Sequence, residues 1–585
     1  MAKVTNQQVA EMLREIGEHL AMQNVPFKPR AYEKAALIID NLEEEVVDTY
    51  EIGGIKSLKE IPGVGISIAE KIEEFIKGGK VRELEALKKR TPVDLSELSR
   101  VEGLGPKGIQ KLYKELGVSN LAELEKAAKE GKIAKLEGFG PKSEEKILKS
   151  IGFAKTTTQR FVLGFMMPRL RALEAALAKV PGVTRATVAG SARRRKETIG
   201  DGDILVVSSK PKAVMDYFTS MPDVVSVIAR GETKSAVKLK SGINVDVRVV
   251  PPESYGAALN YFTGSKDHNV ALRKIAVANG WKLNEYGLYD LVSRGKGKGV
   301  IEKMIAGKSE EEVYAKFGMD YIEPELRENT GELEAARAHQ LPKIIGYDEL
   351  QGDLQVQTSW TDGSDSIEMM AKAAMARGLK YMAVTDHTKR LAMTHGLDEK
   401  RILQQGKEID KLNKKFGGKF VILKGSECDI LKDGTMDLPD EILKTLDVVG
   451  ASVHSFFNLT RAEQTARVKR AMANPHVDIL FHPTGRILNR RAAYDIDMDD
   501  IIAHAKKTGT ILEIDAYPDR SDMKDEYIRK CVEVGVRMSI DSDAHSLHHF
   551  PFLEYGIAQA RRGWACKGDI INAWPVEKME SFLKH

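Results

Sequence analysis

Two carboxylates placed on one strand, just behind a cluster of cations, constrain this chain more than anything else in it. From Gly190 to Val207 it reads Gly-Ser-Ala-Arg-Arg-Arg-Lys-Glu-Thr-Ile-Gly-Asp-Gly-Asp-Ile-Leu-Val-Val. Alternate residues of a strand share a face, so Asp201 and Asp203 point the same way. A second apolar strand, Asn244-Val-Asp-Val-Arg-Val-Val250, carries Asp246 and is expected beside the first. Three carboxylates converging on one face form an all-oxygen nest for two Mg²⁺ (or Mn²⁺) ions about 3.5–4 Å apart. Arg193, Arg194 and Arg195 would lie where a triphosphate needs neutralising, which suits nucleotidyl transfer. Gly-Asp-Gly-Asp alone would make an ordinary surface turn. The apolar run after Asp203 argues otherwise, because a carboxylate buried beside it needs a cation.

A length of 585 residues exceeds one hydrophobic core and implies several domains. With 42% hydrophobic and 30% charged residues the composition is that of an ordinary globular protein, and a net charge of +4 neither demands nor excludes nucleic acid. No apolar run approaches the roughly 20 residues of a membrane span, and the start carries no signal-peptide pattern. Cys428, Cys531 and Cys566 are too scattered for a disulfide framework, so a reducing cytoplasm and no membrane partner are expected. Ten of the 13 histidines lie beyond Gly346, which hints at a separate metal-rich unit.

One motif occurs three times early in the chain: Ile61-Pro-Gly-Val-Gly65, Val101-Glu-Gly-Leu-Gly105 and Leu136-Glu-Gly-Phe-Gly140. A helical pattern follows each. Paired glycines (Gly63 and Gly65, Gly103 and Gly105, Gly138 and Gly140) permit a tight turn whose following helix offers free N–H groups to a backbone phosphate. The motif resembles the helix-hairpin-helix of DNA-binding proteins. One copy could be a mere helix turn; three favour sequence-independent DNA binding.

Downstream stands Tyr261-Phe-Thr-Gly-Ser-Lys-Asp-His-Asn269. Together with Gly190–Asp203 and Asp246, it resembles family X DNA polymerases, the group of DNA polymerase beta, over about the first 320 residues. The resemblance implies that Asp201 and Asp203 hold both metals and that Asp246 contacts the catalytic metal and the primer 3′-hydroxyl. It implies triphosphate contacts from Ser191, Arg194 and Gly200. Tyr261, Phe262 and Gly264 would pack on the sugar, and Asn269 would reach the minor-groove edge of the incoming base. It further places Lys71, on the helix after Gly63-Val-Gly65, where a lyase nucleophile attacks an abasic sugar as a free amine. Lys28, Tyr32 and Lys34 align with supporting residues, but Ser67 stands where a supporting lysine is expected.

From Gly346 onward apolar strands alternate with helices, and catalytic-type residues sit at strand ends, as in barrel-like α/β folds. The landmarks are Asp362, Thr385-Asp-His387, Gly425-Ser-Glu427, Ser452-Val-His454, His482-Pro-Thr-Gly-Arg486 and Asp541-Ser-Asp543-Ala-His545. They resemble the polymerase-and-histidinol-phosphatase (PHP) domain, a distorted (β/α)7 barrel with a trinuclear Mn²⁺ or Zn²⁺ site. The resemblance implies pockets of Glu427, His454 and His482, and of Asp362, His387 and His545. A third would combine Glu427 and Asp543 with an opening His-x-His, but this chain has Gln355 and Gln357 there. Amide oxygen is a poorer ligand for transition metals than imidazole nitrogen, so that pocket is expected weak and 3′→5′ exonuclease activity reduced or lost.

The expected architecture is multidomain: an all-α helix-hairpin-helix region, an α+β nucleotidyltransferase palm and thumb, and the PHP barrel. Expected boundaries are 1–90 (lyase-like helical), 91–155 (two further hairpins), 156–252 (palm), 253–320 (thumb), 321–345 (linker) and 346–585 (PHP). The leading expectation is a monomeric gap-filling repair polymerase using gapped or primer–template DNA and dNTPs. The alternatives are a non-catalytic DNA-end scaffold and an enzyme whose main activity is the nuclease.

Overall fold

The computed structural model describes residues 160–293, 300–391 and 394–583. Before them it describes 4, 6–23, 25–40, 46–61, 63–99, 101, 104–141, 143–145, 147–148 and 150–151. The chain forms two compact units, residues 1–159 with 489–492, and residues 160–488 with 493–585.

The first unit is helical. Asn6–Met22 and Lys28–Asp40 pack against each other, followed by Val46–Lys59, Ile66–Gly78 and Arg82–Arg90. Their apolar stripes, among them Leu13, Ile16, Ile39, Leu58 and Ile72, meet in one core. A second core gathers Ile109, Leu112, Leu124 and Ile133 around the Pro106–Leu116 and Leu121–Lys129 helices. Each buried aliphatic side chain contributes about 1.5–3 kcal/mol, so the stripes carry this unit.

The second unit contains a five-stranded sheet ordered Val183–Val188, Asp201–Ser208, Asn244–Val250, Lys234–Leu239 and Val224–Arg230. Only the Asp201–Ser208 and Asn244–Val250 pair is parallel. Helices Leu163–Ala178 and Pro211–Thr219 share one core with the sheet, while Tyr255–Thr263 packs through Ala258 and Leu259 against Leu205 and Val207. The Lys266–Ala278 helix, a three-stranded antiparallel sheet and the Glu310–Lys316 helix follow.

The segment expected to be a linker is packed instead. Leu326, Leu333 and Ala336 share a core with Tyr314 and Trp564, and Arg327 is wholly buried against Glu310 and the Ile322 carbonyl. Its charged side chains pair with residues outside the segment: Arg327 with Glu310, Glu325 with Arg561 and Glu328 with Arg562.

Beyond it, seven parallel strands run in sequence order: Gly352–Val356, Tyr381–Val384, Val421–Asp429, Val448–Ser452, Ile479–Leu480, Ile511–Asp515 and Met538–Asp541. The first and last meet through a Val356–Ala544 bridge and a Leu354 N–H bond to Asp541, which nearly closes the barrel. Nearly every strand residue is buried, as parallel strands covered on both faces require. Among the described residues no helix is long and apolar enough to cross a membrane.

Candidate active site

The two carboxylate strands lie side by side as the sequence pattern requires. In their register Asp203 stands opposite Asp246, and Asp201, two residues earlier on the same face, stands opposite Asn244. Gly190 (φ +62°) lies so close that a Cβ there would sit 2.1 Å from Asp203 Oδ2, so only glycine allows the turn to approach the carboxylate. Burial, then the charges of Asp201 and Asp246, push Asp203 up to about 7, against the opposing pull of Lys234 and Arg194. The three carboxylates are not gathered as tightly as the barrel ligands. Among the described residues, sets of three ligand atoms within 4.8 Å of one another occur at Asp362, His387 and His545 and at His387, Glu427 and His454. Like charges repel, and Lys234 Nζ holds Asp246 Oδ2 at 3.0 Å. This surplus of hard oxygen charge nevertheless fits divalent cations of the Mg²⁺ type.

The arginine cluster divides three ways. Arg193 is structural: its guanidinium forks onto Glu310 at 2.6 and 2.9 Å and bonds Thr263 Oγ1. Arg195 turns to Glu554 (2.9 Å) of the barrel's Leu553–Arg562 helix. Only Arg194 stays with the carboxylates, where its charge reaches Asp203. It donates to the Thr263 carbonyl and, through Nε, to Glu328 Oε1 at 3.0 Å. The expectation that all three face a triphosphate is therefore corrected, because the other two satisfy buried or barrel-borne glutamates.

Ser191 sits on the short Gly190–Arg193 turn of helix, and Gly200 immediately precedes Asp201. Tyr261 and Phe262 pack edge to face at 5.1 Å, and Arg248, on the Asp246 strand, lies over Phe262 at 4.6 Å. Gly264 (φ +69°) ends their helix against Arg194, and Asn269 Nδ2 donates to the Tyr261 carbonyl at 2.7 Å. The predicted nucleotide residues thus share one neighbourhood.

At the barrel, the predicted residues stand at or just past the C-terminal ends of the strands, the usual place for a site in such folds. Glu427, 1% exposed, is the hub. His482 Nε2 lies 2.8 Å from its Oε1, His454 Nε2 3.0 Å from Oε1, and His387 Nδ1 3.2 Å from Oε2. On the far side of His387, Asp362 Oδ2 lies 3.6 Å from its Nε2 and 3.8 Å from His545 Nε2. Burial would raise Glu427, but the neighbouring histidines outweigh it and hold it well below the usual carboxylate range. His454 moves the other way: burial lowers it, yet Glu427 and Asp429 carry it up to about 9. His482 (φ +30°) and Asp543 (φ +49°) hold left-handed backbone, the strain often stored at functional sites. The predicted pocket of Glu427, His454 and His482 is corrected to one of His387, Glu427 and His454, with His482 bonded to Glu427 outside it. Imidazole and carboxylate in this group and in that of Asp362, His387 and His545 suit Mn²⁺ or Zn²⁺.

The third pocket does not fit a metal in the same way. Gln355 and Gln357 are wholly buried, and Gln357 Nε2 donates to Glu427 Oε2 at 2.9 Å, turning a donor toward the would-be cation. Both polar atoms of Gln355 lack a hydrogen-bond partner. Asp543 lies outside the two metal-competent groups and faces Arg520 Nε at 3.3 Å. Arg486, from the same motif as His482, reaches Glu197 of the segment that precedes Asp201.

In the helical unit the three repeats form one and the same turn. The N–H of Val64, Leu104 and Phe139 bonds the carbonyl of Ile61, Val101 and Leu136 at 3.0–3.1 Å. The carbonyls of Gly65, Gly105 and Gly140 accept the first helical bonds. Gly63 (φ +76°) and Gly138 (φ +85°) take the left-handed backbone the turn needs; Gly103 lies outside the described residues. Lys71 is ion-paired with Glu83 at 3.1 Å. Burial lowers its pKa, but Glu83 outweighs that and raises it, so the amine is held protonated. Tyr32 is buried beside Ser67, whereas Lys28 and Lys34 are exposed. Sequence reasoning missed Glu83, Lys234, Glu328, Arg520 and Arg562; each acts through a partner distant in sequence, and no local pattern marks it.

The DNA polymerase beta thumb model matches residues 258–328. A helix-hairpin-helix domain model matches 4–81, and a SAM-like helix-hairpin-helix tandem matches 55–117 and 95–152. The chain is 38% identical over 579 residues to "DNA polymerase/3'-5' exonuclease PolX" of Bacillus subtilis, covering 98% of this chain and 99% of that protein. It is also 30% identical over 225 residues to a probable phosphatase of Thermoanaerobacter, covering 37% of this chain and 86% of that protein. A probable phosphatase of Acetivibrio thermocellus is 30% identical over 188 residues, 31% of this chain and 73% of its own length.

Proposed function

The chain belongs to the family X DNA polymerases with a C-terminal PHP domain, and from that premise we propose that Asp201, Asp203 and Asp246 fill short gaps in DNA by nucleotidyl transfer. The observation that carries this is the parallel register setting Asp203 against Asp246 beside Arg194. When bound, two divalent cations (Mg²⁺, or Mn²⁺) supply a lowered pKa at the primer 3′-hydroxyl and neutralise the leaving pyrophosphate. The protein supplies position and charge, which dominate acceleration in phosphoryl transfer. Arg194 and Ser191 take the triphosphate, with Gly190 and Gly200 giving it close approach to the backbone. Tyr261, Phe262 and Gly264 take the sugar of an incoming dNTP, and Asn269 meets its base. The hairpin turns at Gly63–Gly65, Gly103–Gly105 and Gly138–Gly140 hold backbone phosphates without reading sequence.

Two further activities are secondary. The barrel retains two groups able to hold Mn²⁺ or Zn²⁺ and lacks the third, which supports a weakened phosphodiesterase. Lys71 is proposed as a Schiff-base nucleophile toward a 5′-deoxyribose phosphate, and its ion pair with Glu83 keeps the free amine scarce, so the lyase is slow. The deciding experiment is extension of a one-nucleotide gapped duplex with Mg²⁺ and each dNTP, with 3′ degradation scored in the same reaction. Templated one-base filling sustains the proposal. Degradation without filling reverses the ranking of the two activities.

A further inference from the structure

The nucleotide-binding segment is anchored residue by residue to parts of the chain that follow it. Glu328 Oε1 accepts from Arg194 Nε at 3.0 Å and, on the same oxygen, from Arg562 Nη1 at 3.0 Å. Arg562 Nη1 also donates to the Arg194 carbonyl at 3.0 Å, while Nη2 binds Asp525. The Arg562 side chain is only 3% exposed and ends the barrel's Leu553–Arg562 helix. Next along the segment, Arg195 pairs with Glu554 and Glu197 with Arg486.

We propose that Arg562 is a positioning residue for nucleotide binding, acting as the alternative partner that lets Glu328 release Arg194 to the triphosphate. The proposal rests on the polymerase reading above. With Nε on Glu328 and Nη1 on the Thr263 carbonyl, Arg194 has only Nη2 left for the triphosphate, so a fork onto it requires Glu328 to let go. Releasing it would strand a half-buried carboxylate unless another cation is already in place. Arg562 is in place, with Lys196 Nζ 3.9 Å away as a weaker second. Its bond to the Arg194 carbonyl keeps that backbone fixed while the side chain exchanges partners. The barrel thereby contributes to polymerisation through a helix far in sequence from the palm.

The test measures KM for dNTP and kcat in gap filling by the full chain and by Arg562→Ala, Arg562→Lys, Glu328→Gln and the Glu328→Gln/Arg562→Ala double variant. Arg562→Ala is expected to raise KM about tenfold, the size of one charge-assisted hydrogen bond, with a smaller change in kcat. Arg562→Lys recovers part of that loss. In the Glu328→Gln background, where no carboxylate competes for Arg194, removing Arg562 leaves KM within about twofold. An equal KM increase in both backgrounds makes Arg562 a fold support and overturns the inference. Should Arg562→Ala fail to fold, Glu328→Gln alone decides: KM falls by about threefold if the exchange operates, and an unchanged KM overturns it. If the unmodified protein extends no primer, the polymerase reading falls and takes this one with it; extension without coupling sinks only this one.

Discussion

The palm and the barrel both concentrate acids for metal chemistry, yet they balance charge in opposite ways. In the palm, Asp201, Asp203 and Asp246 share a face with Lys234 and Arg194 as nearby cations, and Asp203 is driven up to about 7. In the barrel, Glu427 is surrounded by His387, His454 and His482 and held well below the usual range. The palm is a negative surplus waiting for an external cation. The barrel is an acid already shared among imidazoles, a guanidinium at Asp543 and an amide donor at Gln357. Losing one ligand therefore harms the two sites differently. The palm has no substitute for a missing carboxylate, whereas the barrel can lose a pocket and keep its shape.

The largest effect should come from the palm. Asp203→Asn or Asp246→Ala is expected to reduce primer extension by about 10³-fold or more, while gapped-DNA binding persists. Binding is checked by anisotropy and extension by gel. Undiminished extension would erase the contrast between the sites.

Restoring the barrel is the next test. Gln355→His combined with Gln357→His should add one bound Mn²⁺ or Zn²⁺ per chain, read by elemental analysis, and raise 3′ degradation by about tenfold. If the unmodified protein already holds three metals per chain and degrades 3′ ends robustly, the argument from Gln355 and Gln357 fails.

A smaller change is expected in the helical unit. Glu83→Gln should raise borohydride trapping on abasic DNA about threefold by freeing the Lys71 amine, and Lys71→Ala should abolish it. Trapping that survives Lys71→Ala would place the nucleophile elsewhere.

The smallest is a pH dependence. The folded Asp203 binds its proton more tightly than an ordinary Asp of pKa 3.8, so its contribution is full below about pH 4 and fades as pH rises through about 7. In chelator, the melting temperature of the protein relative to Asp203→Asn should fall by about 2–4 °C between pH 5 and pH 8, and Mg²⁺ should reduce that fall. A difference independent of pH would mean that the palm carries no such surplus.

The barrel strands, the palm strand pair and the three hairpin turns were legible because each depends on local pattern. Alternating apolar residues place Asp203 and Asp246, and paired glycines fix the turns at Gly63–Gly65 and Gly138–Gly140. The resemblance to the PHP domain pointed to Asp362, His387, Glu427, His454, His482 and His545, and the fold gathers all of them but His482 into groups that could hold a metal. The destinations of charged side chains were not legible. Three consecutive arginines look alike in sequence, yet Arg193 goes to Glu310, Arg194 to Glu328 and Arg195 to Glu554. Likewise the stretch expected as a linker became a packed element, because Arg327 pairs with Glu310 and its glutamates pair with Arg561 and Arg562.

The amino-acid order by itself determined which backbone segments are strands, turns and helices, and which side chains could bind metals. These follow from steric preference, periodicity and donor chemistry within a few residues. Tertiary packing alone decided which cations remain available to a nucleotide and which are spent on the fold, that Gln357 turns its amide donor onto Glu427, and that Arg520 faces Asp543. Long side chains choose partners by proximity in space, and proximity between residues hundreds apart exists only once the chain has folded.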